Sequence, residues 1–259
     1  MKYILYCLKL NLKSKLFFYS LVLSFLAIFI GLLGNRYLIL SSFGLSLFYQ
    51  GYNLSPTSVL PILVPFIAVL GAGDSFLIDS ENNMVTAILS RMSRLKYYFS
   101  KIFVVGSIGA ISIALPLLIM LLLSMMISPH GLNVYMAEFS KTGMTFGSFY
   151  QKSELNFAFF VIFNSAIFGF IYANIGLIAS LFVTNKYIVI FMPFLVYILP
   201  SFVFDFLGLG RFSTMSTFDL TANTLTTPLN VGINFSVIII VIIVVGYFKI
   251  LSVSVGKNE

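Results

Sequence analysis

Eight carboxylates, one histidine and one cysteine are the groups of this 259-residue chain best suited to hold a metal, relay a proton or serve as a reactive nucleophile. Metal-assisted hydrolysis needs several such ligands converging on one point. The single histidine, His130, follows Pro129 between two hydrophobic runs and is expected at the surface. Serines and threonines are plentiful but have no partner base, so no catalytic residue and no metal site is assigned. A proton- or ion-driven carrier usually places ionisable groups near the middle of its membrane helices. Here Asp74 falls near one end of an apolar run, where water or a nearby cation is its expected partner, and Asp205 falls near the end of another, where Arg211 is. Cys7 has no second cysteine to pair with, and among lysines it reads as a small interfacial apolar residue rather than a palmitoylation or redox site. The sequence holds no G-x-x-x-x-G-K-[ST], so the chain cannot cradle ATP phosphates itself and is not expected to be an enzyme.

The densest polar passage is DSENNMVTAILSRMSRLKYYFSK, residues 79–101. Ser80 could cap a first helical turn, and Asp79 with Glu81 would suit the positive end of its dipole. Met84, Val85, Ile88, Leu89, Met92 and Leu95 then recur at helical spacing as one apolar stripe, with Arg91 and Arg94 along its edge. Neither Gly nor Pro interrupts it. The spacing predicts a short amphipathic helix that packs its stripe on a larger body or offers it to another protein.

That body must be a membrane domain. Hydrophobic residues make up 59% of the chain and charged residues 9%, far below the quarter usual in soluble domains. Six segments are apolar over about 20 residues, the length that crosses a bilayer: 17–34, 59–78, 102–128, 157–183, 187–207 and 231–250. None alternates with period two, so all are expected as helices, giving an all-α membrane protein. The fifth carries Pro193 and Pro200 and is expected to be irregular or broken. The run after Lys15 lacks a small-residue cleavage site, so no cleavable signal peptide is expected.

Basic residues set the orientation. Eleven (Lys2, Lys9, Lys13, Lys15, Arg91, Arg94, Lys96, Lys101, Lys186, Lys249, Lys257) fall on one side, against Arg36, Lys141, Lys152 and Arg211 on the other. Both termini are therefore expected in the cytoplasm. The basic excess, which in a soluble chain would point to nucleic acid, here marks helix ends facing the cytoplasm. Segments 35–58, 129–156 and 208–230 become external, the last too short for a domain of its own. Residues 1–16 are too polar to span. As a helix they gather Lys2, Lys9 and Lys13 on one face, opposite Ile4, Cys7 and Leu8, which predicts an elbow lying along the inner membrane surface.

Within the spans, Gly169, Ala173, Gly176 and Ser180 make one thin face of span four, where a second helix can approach closely, in this chain or across a dimer. Asn164 and Asn174 of the same span would be costly facing lipid and should point to protein or a polar cavity. In span two, Pro61 and Pro65 precede Gly71, Ala72 and Gly73, a composition that suits a hinge just before residues 79–101 and equally suits close packing. With 29 Phe and 14 Tyr, a Phe-rich cavity would favour amphipathic or apolar cargo.

An acid after span two (Glu81), a leucine-like pair (Ile88-Leu89), Ser93-Arg94 and Lys101 opening span three resemble the pattern of ABC-2 type transporter permeases. Length, six spans, the amphipathic elbow and the proline-bearing fifth span resemble that family over nearly the whole chain. The resemblance implies a single transmembrane permease domain over 1–259, with an elbow at 1–16 and a cytoplasmic coupling helix at 79–96 that docks on an ATPase subunit through Glu81, Val85, Ile88, Leu89, Met92, Arg94 and Lys101. It implies a hinge at Pro65, Gly71 and Gly73 and a substrate path near Asn164, Asn174, Pro193 and Pro200. It further implies two ATPase partners holding ATP and Mg, a second permease, identical or paralogous, and export of a peptide, drug or lipid across a bacterial plasma membrane, as in antimicrobial resistance. A stand-alone secondary carrier or an immunity-type membrane binding protein is the alternative.

Overall fold

The computed structural model describes residues 2–34, 45–55, 57–127, 146–221 and 226–252. Arg36, Pro129, His130, Lys141 and Lys257 lie outside the described residues. Those described are helical or in turns, with no strand. Helix α1 (Lys2–Leu12) is followed by α2 (Lys15–Leu33), which starts where Ser14 Oγ accepts the Phe17 amide at 3.1 Å. A short α3 (Ser46–Tyr49) runs on into a wide turn at Gln50–Leu54. Then come α4 (Leu60–Leu70), α5 (Ser75–Glu81), α6 (Met84–Leu89), α7 (Arg94–Ile127), α8 (Gly147–Lys152), α9 (Glu154–Phe182), α10 (Lys186–Phe206) and α11 (Pro228–Ser252).

Six helical stretches are long and apolar enough to cross a membrane: α2, α4 with α5, α7, α9, α10 and α11. This is the architecture of a multi-pass membrane protein, and it carries the six expected spans with shifted ends. The largest shift is at span three, which begins at Arg94 rather than 102. Tyr97 and Tyr98 are buried there, so the polar-looking run 94–101 is the first two turns of the span.

Spans two and four form the centre, with 72% and 67% of their apolar windows buried, whereas spans five and six are each 22% buried and lie at the edge. Small residues make that centre possible. A Cβ added at Gly169 would stand 2.5 Å from the Gly109 carbonyl, one at Gly109 would stand 2.5 Å from Ala173, and one at Gly176 would stand 2.1 Å from Val69. Gly169, Ala173 and Gly176 of α9 therefore receive α7 and α4 of the same chain, backbone against backbone. Ser180 of that face is buried and bonds its own helix, at Leu177 O.

Helix α10 is continuous through Pro193 and Pro200, contrary to the expected break. The turn before Pro200 is reinforced because Ser201 Oγ and Thr214 Oγ1 both donate to the Tyr197 carbonyl. Asp205 and Arg211 do not pair; the guanidinium lies over the Phe212 ring instead, 5.2 Å from its centroid. Part of the segment expected to be external, 208–230, is packed into the bundle. Thr217, Phe218 and Leu220 are fully buried, and residues 213–221 fill one end of the bundle. Tyr52 donates to the Phe218 carbonyl, and Asn164 Nδ2 donates to Thr217 O at 2.8 Å. Phe168, Tyr172, Tyr197 and Phe218 stack there in edge-on and parallel pairs.

Candidate functional site

Residues 79–96 are not one helix. Helix α5 carries span two on to Glu81, so Asp79 and Glu81 sit at a helix C-terminus rather than an N-terminus, and Ser80 caps nothing. Asn83 then takes a left-handed conformation, φ 53°, the one such non-glycine among the described residues. Asparagine tolerates that region better than most residues, and it turns the chain into the six-residue α6. A second turn at 90–93 leads into α7. The apolar stripe survives this break but faces inward: Val85 is buried, and Ile88, Leu89 and Met92 pack half-buried on the core. The face left open carries Asn82, Asn83, Thr86, Ser90, Arg91 and the 53%-exposed Met84.

Both ends of this segment are tied down. Lys101 Nζ lies 2.8 Å from Asp79 Oδ2 and donates to Ser75 O at 3.2 Å. The Tyr97 hydroxyl donates to the same Asp79 oxygen at 2.6 Å. Lys101 is buried, so it joins spans two and three and is not a surface contact as the resemblance implied. Arg94 Nη1 donates to Leu251 O at 2.6 Å, in the last turn of α11, where a cation also suits the helix dipole. One turn further into the bundle, Tyr98 donates to Ile242 O at 2.8 Å, and Gly246 leaves room for its ring.

Two further elements meet at this end. Lys186 Nζ lies 2.8 Å from Asp74 Oδ2, so the acid expected beside a cation has one, contributed by the start of α10. Helix α1 packs on α7, with the Tyr3 ring 6.4 Å from that of Tyr97. Tyr3, Ile4, Cys7 and Leu8 are half-buried on this side while Leu5, Tyr6 and Leu10 are exposed. Burial pushes the Cys7 thiol above its ordinary range. The basic segments expected on one side of the membrane thus gather at one end, called here the basic end.

The residues expected to form a hinge, Pro65, Gly71 and Gly73, sit just above it. Span two leaves α-helical geometry between α4 and α5, at residues 71–74, where Gly73 N still reaches Val69 O at 2.8 Å. Pro65 lies within continuous helix. A Cβ at Gly71 would stand 2.7 Å from Ile108 Cγ2, and one at Gly73 would stand 2.1 Å from Val69 Cγ2, so both glycines serve close packing as well as the turn.

Among the residues expected along a path, Asn164 is spent on the plug at 213–221, and Asn174 Nδ2 bonds Phe170 O of its own helix at 2.8 Å. The Asn174 Oδ1 is buried without a partner. Pro193 is buried and Pro200 half-buried. An apolar cleft of about 560 Å³ does open between spans two and five, lined by Phe66, Tyr187, Ile188, Ile190, Phe191 and Leu195.

Two features had no counterpart in the sequence reading. Glu154 accepts the Leu45 amide and the Tyr150 hydroxyl, each at 3.1 Å, and so holds α3 to the far end of α9. Its only local signal is the preceding Ser153, which caps α9. The turn at Asn83 was signalled by the Asn82-Asn83 pair. No protein-family model, no curated protein and no solved structure matches this chain.

Proposed function

We propose that the chain is the transmembrane subunit of an ATP-driven exporter of the ABC-2 type, moving an amphipathic or apolar molecule by alternating access. The observation that carries this reading is the segment 82–93: a short piece beyond the membrane spans, packed on the core through Val85, Ile88, Leu89 and Met92, polar on its open face apart from Met84, and flanked by residues that join span two to span three and span three to span six. A mere connection needs only a few polar residues. The open face, with Met84 and Arg91, suits docking of a soluble subunit, and the ties pass its movement to three spans. The charge bias supports a cytoplasmic position for this end. The ATP-binding partner supplies the nucleotide chemistry, and the cleft between spans two and five gives an apolar cargo a wall to slide along.

The test is co-purification of the full chain with candidate ATP-binding-cassette subunits from the same genome. Met84→Glu with Arg91→Glu should abolish association, while Lys152→Glu at the opposite end should not. Association unchanged by the double substitution would refute the docking face. Transport by purified chain in vesicles, driven by a proton gradient without ATPase, would establish the carrier instead.

A further inference from the structure

Helices α10 and α11 each pack on α9 but make little contact with each other. The result is a V-shaped cleft of about 330 Å³ whose floor is α9 and whose sides are the two peripheral spans. Its wall is apolar throughout, with Ile178, Ala179 and Phe182 below, Met192 and Val196 on one side and Val241 on the other. Ala179 is the small residue that makes the floor concave. At the basic end the cleft stops at a charge. Lys249 stands two turns beyond Ile242 on the same face of α11, and its Nζ lies 4.8 Å from the centroid of the Phe182 ring. Neither ion pair among the described residues involves it. A half-buried lysine at the mouth of an apolar cleft, at the level where α9 and α11 end, matches the two parts of one kind of molecule.

We propose that this cleft is a binding site for an anionic phospholipid, with an acyl chain between α10 and α11 and the headgroup phosphate paired with Lys249. The physical case is complementarity at both ends. The cleft has no polar group to satisfy anything but hydrocarbon, and the ammonium, raised to the interface over an aromatic face, is short of a counter-charge. A basic residue near the membrane surface favours anionic lipid by about 1 kcal/mol, a factor of about five. The site requires only that the six spans lie in a bilayer, and it is independent of any ATPase partner.

Native mass spectrometry of the delipidated full chain, offered phosphatidylglycerol and phosphatidylcholine of identical acyl chains, reads this directly. The wild type should retain one lipid with about fivefold preference for phosphatidylglycerol, and the preference should fall as salt is raised. Lys249→Gln should bring the two lipids level, Lys249→Arg should keep the preference, and Ala179→Phe should fill the floor and reduce retention of both. Monodispersity and far-ultraviolet circular dichroism confirm that each variant is folded. Equal retention of both lipids by the wild type, a preference untouched by Lys249→Gln and by salt, or retention unaffected by Ala179→Phe would overturn the proposal. So would a dimer disrupted by Ala179→Phe, which would make a second copy of the chain the occupant.

Discussion

Replacing Lys101 by methionine keeps the length of the side chain and removes its charge, so its cost measures the ion pair that joins spans two and three. The lysine side chain is 6% exposed and that of Asp79 15%, so water screens the pair little. Breaking a buried pair from one side costs about 3–5 kcal/mol, because the remaining charge is left uncompensated. Asp79 would keep the Tyr97 hydroxyl, a bond to a charged acceptor worth about 1.5–3 kcal/mol. The expected loss therefore falls at the low end, about 3 kcal/mol. Asp79→Asn strands the ammonium with only Ser75 O and the Tyr97 face, at similar cost. The double variant removes both charges, and the asparagine carbonyl can still accept from Tyr97. Its loss should be only about 1–2 kcal/mol, leaving a coupling energy of about 4–5 kcal/mol. Unfolding by sodium dodecyl sulfate, followed by far-ultraviolet circular dichroism, gives the three free energies. Glu81→Gln, two residues from Asp79 and on the exposed side of the helix, is the control and should stay within about 0.5 kcal/mol of wild type. If Lys101→Met costs no more than that control, or the double variant costs the sum of the singles, the pair does not fasten the two spans.

Four other outcomes follow from the same geometry. Gly109→Ala should cost about 1–3 kcal/mol, because its Cβ meets backbone at 2.5 Å, whereas Gly232→Ala, with nothing within 4 Å, should be neutral or stabilising by up to about 1 kcal/mol in the same unfolding assay. Tyr52→Phe orphans the Phe218 carbonyl and should raise the opening of residues 213–221 about five- to tenfold, read as faster tryptic cleavage after the exposed Arg211. Alkylation of Cys7 should climb with pH only above the ordinary thiol range, since burial disfavours its thiolate. If the proposed ATPase docks, spin labels at Ile78 and Phe103 in a Cys7→Ser background should hold one distance during its turnover while labels at Ile62 and Ile78 spread; the reverse pattern would refute a hinge at residues 71–74.

The spans were legible because an apolar run of bilayer length has little use except to cross a bilayer, and the small residues of spans two and four announced the central contact they make. Legibility stopped where a residue's role depends on a partner far along the chain. Lys101 reads as a surface lysine until Asp79 is placed against it. Asp74 could be matched to a cation in kind, but only the fold shows that the cation is Lys186. The stripe from Met84 to Leu95 fits one helix by spacing alone, and what overrides the spacing is local: Asn82-Asn83 offers a left-handed stop, and the serines at 90 and 93 offer a turn. Residues 213–221 are polar enough to pass for an external loop, because their hydroxyls and amides are satisfied inside the bundle by Ser201, Tyr197 and Asn164. Composition cannot distinguish that from satisfaction by water.

The two ends of the bundle are fastened by different means, and this bears on what can move. At the far end, besides the Glu154 carboxyl that holds α3, the ties are aromatic stacking and neutral hydrogen bonds that hold spans four and five to residues 213–221. At the basic end they are charge-assisted bonds at 2.6–2.8 Å between span two and span three, between span two and the start of span five, and between span three and span six. Span two alone is interrupted between these ends, at residues 71–74. Helix α5 is therefore bound by Asp79 and Ser75 to α7, while α4 is packed through Val69 on Gly176 of α9. Under the proposed coupling, a force on residues 82–93 reaches α5 and α7 together; because α4 also packs on α7 and α5 on α9, bending at the irregular turn 71–74 is a tilt of α5 against α4 rather than a parting of the two. The cleft between α4 and α10 lies beside that turn, so its width is the quantity such a movement would change.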